Sequence, residues 1–271
     1  MNKSYRDLFK GTAPYYTRYR YHYSPEFFRQ LAQRLQLNGQ GRLLDLGCGT
    51  GQLTIPLAAY FEEAVGLDPE PEMLEQAALV AGEAGVKNIR WVEGGSADLP
   101  AQQASLGTFR VVTMGNSFHW MDQNATLTQL DRMVVPGGRL AISGTSSGCI
   151  SFEASEGWAY EVQRIVRKTL GETRRAGNSA YQPPAETFEA MLARSPFSQV
   201  EVFEMEDTRY LTTEDIIGFL YSTSYSSKAV LGEKQAGFER EVRETLLALN
   251  PDDRFAENIS IGTFLAGRPA G

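Results

Sequence analysis

The sequence predicts an α/β fold built on an open, mostly parallel, doubly wound sheet, and three observations carry that expectation. An apolar run, Leu43-Leu44-Asp45-Leu46, leads straight into Gly47, Gly49 and Gly51 and then into a helical pattern from Leu53. A second apolar run, Ala64 to Leu67, ends on Asp68 about 20 residues beyond the first glycine, the spacing of a βαβ unit with an acidic second strand end. Strand and helix patterns then go on alternating as far as Ser143, the rhythm of parallel strands joined by crossover helices.

Taken in order, residues 1–40 are dense in aromatics: Tyr5, Phe9, Tyr15, Tyr16, Tyr19, Tyr21, Tyr23, Phe27 and Phe28, interleaved with Arg18, Arg20 and His22. Two readings fit such a segment: a helical pair packed on the sheet edge, or a flap that covers a ligand with a polar, π-rich wall. Ser24-Pro25-Glu26 is a helix start, and the amphipathic pattern from Phe27 to Leu37 stops at Asn38-Gly39. Gly41 to Leu46 is the first strand. Leu53 to Phe61 is the helix after the glycines, with Pro56 tolerable near its first turn. Glu72 to Gly85 reads as a helix, Ile89 to Glu93 as strand three and Phe109 to Met114 as strand four. A helix from Ala125 to Val135 is expected to break at Pro136-Gly137-Gly138 before strand five, Arg139 to Ser143.

Beyond strand five, residues 150–195 read as a mainly helical lid. Trp158 to Leu170 is amphipathic, and a polar loop from Gly171 to Pro184 holds Arg174, Arg175 and Tyr181. Val200 to Glu206 alternates as a strand, Thr212 to Ser222 is helical, Phe238 to Leu249 is a last helix and Ile259 to Ala266 a last strand. The hydroxyls of Tyr221 to Ser226 either line an acceptor pocket or form an exposed loop. The expected divisions are a helical flap at 1–40, a cofactor-binding core at 41–149, a lid and acceptor-binding insertion at 150–195, and completion of the sheet over 196–271.

Composition narrows the function classes. The chain has 271 residues, 42% of them hydrophobic, ample for a packed core, and a formal net charge of −7 without a basic run. A surface built to neutralise phosphates is therefore not expected, so no nucleic-acid partner, and a small-molecule partner fits better. No apolar stretch approaches the roughly 18 residues of a membrane span, and Met1 to Asp7 lacks a signal core. The expectation is a cytoplasmic protein without membrane association, monomeric or homodimeric. Cys48 and Cys149 are the two cysteines, too few for a disulfide framework or a structural zinc.

Three glycines within five positions are kept where the chain needs unusual dihedrals or where a ligand approaches the backbone. The dinucleotide pattern G-x-G-x-x-G would need a small residue at position 52, where Gln52 stands, and no lysine follows as a triphosphate loop requires. A carboxylate at Asp68 is placed to accept both hydroxyls of a ribose.

The string Leu-Asp-Leu-Gly-Cys-Gly-Thr-Gly at residues 44–51 resembles the signature loop of the class I S-adenosylmethionine (SAM) dependent methyltransferases. Pro69 to Leu74 is similar to the start of that family's next helix, Ala97-Asp98 to its adenine-contacting pair, and Pro136-Gly137-Gly138 to its junction before strand five. The resemblance spans residues 43–143. It implies a Rossmann-like sheet of seven strands with the last antiparallel, and SAM as cofactor with S-adenosylhomocysteine as product. It implies cofactor contacts at Asp45, Gly47, Gly49, Gly51, Asp68, Pro69, Met73, Ala97, Asp98 and Asn116. In the family the leading segment closes over SAM, which makes Tyr15 and Arg20 candidates for the methionine carboxylate and Tyr16 a candidate for the acceptor.

Strand four runs into Asn116-Ser117-Phe118-His119-Trp120, at the sheet edge where catalytic groups sit. The family's nucleobase-modifying members carry an Asn/Asp-Pro-Pro-aromatic tetrad here; its absence, with Phe-His-Trp in its place, resembles members acting on small molecules. Phe118 and Trp120 are candidate acceptor contacts, with Trp120 packing over the cofactor. His119 is the candidate general base, histidine being the side chain whose intrinsic ionisation, at about 6.5, lies nearest neutral pH, although a histidine beside aromatics also serves simply as a pocket wall. Asp122 alone is a poor metal site, so a metal-independent in-line displacement is expected. The leading reading is methyl transfer to an N, O or C nucleophile of a small molecule. The others are a methyltransferase acting on protein or RNA, and a SAM-binding regulatory protein without chemistry.

Overall fold

The computed structural model describes residues 9–147, 156–173, 175–176, 179–180 and 186–269. Tyr5, Cys149, Arg174 and Tyr181 lie outside them, as does the segment Met1 to Asp7. Seven strands form one sheet: β1 (Arg42–Leu46), β2 (Glu63–Asp68), β3 (Ile89–Glu93), β4 (Phe109–Gly115), β5 (Val134–Ser147), β6 (Gln199–Leu211) and β7 (Phe255–Gly267), in the order β3-β2-β1-β4-β5-β7-β6. A separate two-residue hairpin pairs Arg175–Ala176 with Ser179–Ala180. The strands from β1 to β5 run parallel, with Leu44 of β1 level with Val65 on one side and Val112 on the other. The chain starts at the centre, winds outward through β2 and β3, then returns to β4 on the far side of β1. The order reverses between β1 and β4, and the crevice at that switch point is where such sheets bind ligands.

The helices are α1 (Ala13–Tyr19), α2 (Pro25–Arg34), α3 (Thr54–Leu57), α4 (Pro71–Glu83), α5 (Leu99–Leu106), α6 (Gln123–Asp131), α7 (Gly157–Leu170), α8 (Phe188–Ala193), α9 (Thr213–Tyr221), α10 (Lys228–Leu231) and α11 (Gln235–Leu249). Several of them start on side-chain caps. Ser24 accepts from the Phe27 amide at 3.3 Å ahead of α2, Asp122 from the Ala125 amide at 3.0 Å ahead of α6, and Thr212 with Asp215 makes a reciprocal capping box on α9. No described helix is long and apolar enough to cross a membrane.

Pro136-Gly137-Gly138 acts differently from the helix break expected there. α6 ends already at Asp131 and β5 begins at Val134, so the three residues lie inside the strand. Pairing runs Phe109 with Val134 and then Val111 with Arg139, and the intervening residues of β5 bulge out. Gly138 is required at the bulge, because a Cβ there would stand 2.7 Å from the Arg110 carbonyl. The helix after the glycine loop is also shorter than its pattern: α3 is one turn, followed by a 3₁₀ turn at Ala58–Tyr60. β6 and β7 run longer than their apolar alternation indicates.

Two compact units divide the chain. The first holds His22–Gly144, Pro184–Glu204 and Gly262–Gly271, with a core around Leu44, Leu67, Val112, Met114, Leu130 and Phe197. β1 is buried along nearly its whole length, which explains its continuous apolar sequence. The second holds the described residues of Met1–Tyr21, Thr145–Pro183 and Met205–Ile261. There α7, α9 and α11 pack around Ile165, Ile216, Leu220, Phe238 and Val242. α1 lies on α9, with the Tyr19 ring seated where a side chain at Gly218 would have to be. Gly218→Ala should therefore destabilise the protein by about 1–3 kcal/mol despite the better helix propensity of alanine, read as a lower Tm; an unchanged or raised Tm would contradict this packing.

Candidate active site

The site is assembled at the carboxyl ends of β1, β2 and β4, all in the first unit. β1 passes into Gly47, Gly49 and Gly51, whose φ angles of +73°, +52° and +84° lie in the left-handed region. Gly47 is also fixed by space, since a Cβ would fall 2.6 Å from that of Ser117, whose hydroxyl donates to the Leu46 carbonyl at 2.7 Å. The loop is tied to β2 through the amides of Gly47 and Cys48, which donate to the Leu67 carbonyl at 2.8 and 3.1 Å.

Asp68 completes this corner. It is 8% exposed, and its Oδ2 accepts from the Gly49 amide at 2.8 Å while Oδ1 accepts from the Glu70 amide at 3.0 Å. Burial pushes its pKa up and the two amides pull it back. A carboxylate has about four lone-pair positions, so two amides leave capacity for two hydroxyl donors.

Asp45 stands behind the loop. It is 1% exposed; Oδ2 accepts from Thr54 Oγ1 at 2.5 Å and Oδ1 from Thr113 Oγ1 at 2.8 Å. One buried carboxylate thus joins β1, β4 and the start of α3. Burial raises its pKa to about 6, against the pull of those two hydroxyls and with a smaller push from the charge of Asp68. The same burial drives the Cys48 thiol well up, which fits a space-filling role for that residue.

The corner fits a nucleoside-bearing cofactor on its own chemistry. Among the described residues, the Thr50 hydroxyl and the Gln52 side-chain nitrogen are buried in the glycine loop without a hydrogen-bond partner, and a buried polar atom left so is costly. Both could bond a polar ligand on the loop.

The other sequence-derived residues fall as follows. Asp98 is half-buried in a 3₁₀ turn, Ser96–Asp98, where its Oδ2 accepts from the Gly95 amide at 2.8 Å; Ala97 beside it is exposed. Pro69 is half-buried and Met73 buried at the start of α4. Asn116, with φ +51°, turns the chain at the end of β4, and its amide donates to the Ser143 carbonyl at 2.8 Å. Phe118 is a core residue packed edge-on against Phe188 at 5.1 Å. His119 and Trp120 are half-exposed in the same 3₁₀ turn, their rings 4.8 Å apart.

Tyr15, Tyr16 and Arg20 belong to the second unit and are engaged there. Arg20 donates from Nε to Ser222 Oγ at 2.8 Å and from Nη2 to the Ser222 carbonyl at 3.1 Å, and its guanidinium lies over the Tyr16 and Phe219 rings, 4.8 Å from each. It thus places a cation at the C-terminus of α9, where the helix dipole favours one. Tyr15 meets Tyr221 at 5.4 Å, and Lys228 lies over both rings. The hydroxyl-rich segment is buried: the Thr223 and Ser226 hydroxyls lie 2.8 Å from each other and each 2.8 Å from the Leu220 carbonyl, a triangle in which two protons serve the three contacts.

Thr54, Thr113, Ser117 and Trp91 also shape this corner, without a local signal in the sequence. The Trp91 indole lies over Gly66 in the space a side chain there would need, and its rim reaches Gly51. Nothing in an isolated Thr, Ser or Trp signals such long-range contacts.

Residues 43–138 match the family model described as a methyltransferase domain. An uncharacterized methyltransferase of Mycobacterium tuberculosis is 28% identical over 212 residues, covering 78% of this chain and 74% of that one. A demethylmenaquinone methyltransferase of Lactococcus lactis is 31% identical over 170 residues, covering 59% of this chain and 66% of the relative. A SAM-dependent methyltransferase from Geobacter sulfurreducens, solved with S-adenosyl-L-homocysteine, superposes with a TM-score of 0.51 at 17% identity, covering 94% of this chain and 96% of that one.

Asp45 makes the site's pH dependence calculable in sign. Its folded pKa of about 6 exceeds the ordinary 3.8, so its contribution to stability is full below the latter and is lost as the pH rises through the former. Asp68, also raised, acts in the same direction. Asp45→Asn, which cannot ionise, should gain on the native protein by about 2 kcal/mol between pH 4 and pH 7. Melting both proteins across that range checks it; a difference in Tm that is constant with pH would contradict it.

Proposed function

We propose that this chain, which belongs to the class I SAM-dependent methyltransferases, transfers the methyl group of SAM to a small-molecule acceptor. One observation carries the reading: the buried Asp68 carboxylate at the end of β2 is held to the Gly49 amide at 2.8 Å, beside the loop that leaves β1, the strand from which the order reverses towards β4. That arrangement suits a diol at the loop and excludes a triphosphate, for which the loop has no lysine.

When bound, SAM supplies a methyl group already activated on sulfur. The protein's own work is to bind, orient and exclude water. Asp68 accepts from the ribose hydroxyls. The glycine loop presents amides and the Thr50 hydroxyl, and Asp98 with Ala97 borders the base. Asn116 sits at the methyl-transfer edge of β4, with His119 and Trp120 next along the same turn. The half-exposed His119 imidazole takes the proton of a hydroxyl or ammonium nucleophile, a contribution of about 10²–10⁴ where general-base catalysis operates.

For the acceptor, the likeness to a demethylmenaquinone methyltransferase supports a hydroxylated or quinone-like ring compound, and the tetrad-free Asn116-Ser117-Phe118-His119 sequence argues against a nucleobase. Transfer from methyl-labelled SAM into a panel of quinols, catechols and phenols tests this directly. Label in none of them, in a protein that binds S-adenosylhomocysteine, would move the acceptor to another class.

Two substitutions separate binding from chemistry. Asp68→Ala should weaken S-adenosylhomocysteine binding by about 1.5–3 kcal/mol, the value of hydrogen bonds to a charged group; unchanged affinity would remove Asp68 from the site. With an accepted acceptor, His119→Ala should lower kcat about 10²-fold or more while leaving cofactor affinity within a factor of about two. Full activity at neutral pH would leave that ring a wall of the pocket.

A further inference from the structure

We propose that Tyr23 is a positioning residue of this site: its phenol oxygen fixes the Asn116 carboxamide at the end of β4 and so sets cofactor affinity. The inference rests on reading that edge as the cofactor's. It begins with a backbone anomaly. Asn116 has φ +51°, a region costing an ordinary residue about 1–2 kcal/mol, and its amide is pinned to the Ser143 carbonyl of β5 at 2.8 Å. The turn therefore aims the side chain of Asn116 in one direction from a fixed backbone.

The carboxamide then meets a fixed partner. Asn116 Nδ2 donates to Tyr23 Oη at 3.4 Å. Tyr23 is 8% exposed, its ring stacked on Phe27 at 4.5 Å and set edge-on to Phe28 at 6.2 Å, so the oxygen has little freedom to follow a moving partner. Gly115 lies beside the same oxygen. A Cβ there would stand 3.4 Å from Tyr23 Oη, an ordinary contact, and 2.5 Å from the Leu53 side chain, so it is Leu53, at the exit of the glycine loop, that requires the glycine. The phenol oxygen thus stands beside both sides of the switch point, the exit of the β1 loop and the end of β4.

An N–H committed to the phenol sets the plane of the carboxamide, and with it the direction of the carbonyl oxygen and the second N–H. A side chain already held in its bound rotamer loses less entropy when a ligand arrives. Tyr23 acts through Asn116.

The test is calorimetric titration with S-adenosylhomocysteine of Tyr23→Phe, Asn116→Gly and the double variant. Phenylalanine keeps the aromatic packing, and glycine keeps the left-handed turn while removing the carboxamide. Tyr23→Phe should weaken binding about threefold to tenfold with Tm unchanged, Asn116→Gly should weaken it at least as much, and the double variant should match Asn116→Gly alone. Phe28→Leu, which loosens the same aromatic cluster and leaves the oxygen, should lower Tm without changing the affinity. The proposal is overturned if Asn116→Gly weakens binding and Tyr23→Phe does not, or if the two penalties add in full. It is overturned equally if neither matters. In that last case Asp68→Ala, measured alongside, tells whether only the β4 edge was misassigned or the cofactor reading as well.

Discussion

Everything at the crevice depends on the Gly49 amide donating to the Asp68 carboxylate. Asp68 closes β2, Gly49 follows β1, and their 2.8 Å contact ties the loop to the end of the neighbouring strand. A loop fixed by such a contact needs less ordering when it binds. Behind the contact stands a second buried carboxylate, Asp45, held by Thr54 and Thr113 on two different elements. Two acids buried close together in one corner raise each other's cost of ionisation. The protein tolerates that cost at the place where a diol and a polar loop ligand can be recognised.

The second unit shows how similar residue types serve structure. Arg20 and the hydroxyls after α9 have the chemistry expected of a ligand site, yet their observed partners are one another, the carbonyls that end α9, and the faces of Tyr16 and Phe219. Their polar atoms satisfy a helix terminus that would otherwise be buried without partners. Likewise Arg209 pairs with Glu257, which is 1% exposed, and lies near the Tyr21 ring. The desolvation of the buried carboxylate offsets much of the attraction in such a pair.

The order of strands from β1 to β5 was legible because each junction has its own residue chemistry: glycines after β1, an acid after β2, a small residue and acid after β3. Where local chemistry is ambiguous, the reading failed. Pro-Gly-Gly at 136–138 terminates helices and also builds bulges, and the tight approach of Gly138 to the Arg110 carbonyl, invisible in a linear sequence, makes it a bulge here. At the site, Asp68 and the glycines were readable from spacing. Thr54, Thr113, Ser117 and Trp91 were not, because their importance comes from partners up to 71 residues away. Phe118 read as an acceptor contact from its neighbours in sequence, whereas the 3₁₀ turn sends its ring into the core and leaves His119 and Trp120 half-exposed.

The central claim is that the corner made by Gly49 and Asp68 holds the adenosyl moiety of SAM. Calorimetric titration of the folded protein with S-adenosylhomocysteine, and separately with NAD, tests it most directly. The account predicts saturable binding of S-adenosylhomocysteine at micromolar concentration and none of NAD, since Gln52 occupies the position where a dinucleotide loop needs a small residue. Binding of NAD in preference, or of neither compound with and without candidate acceptors, would contradict it.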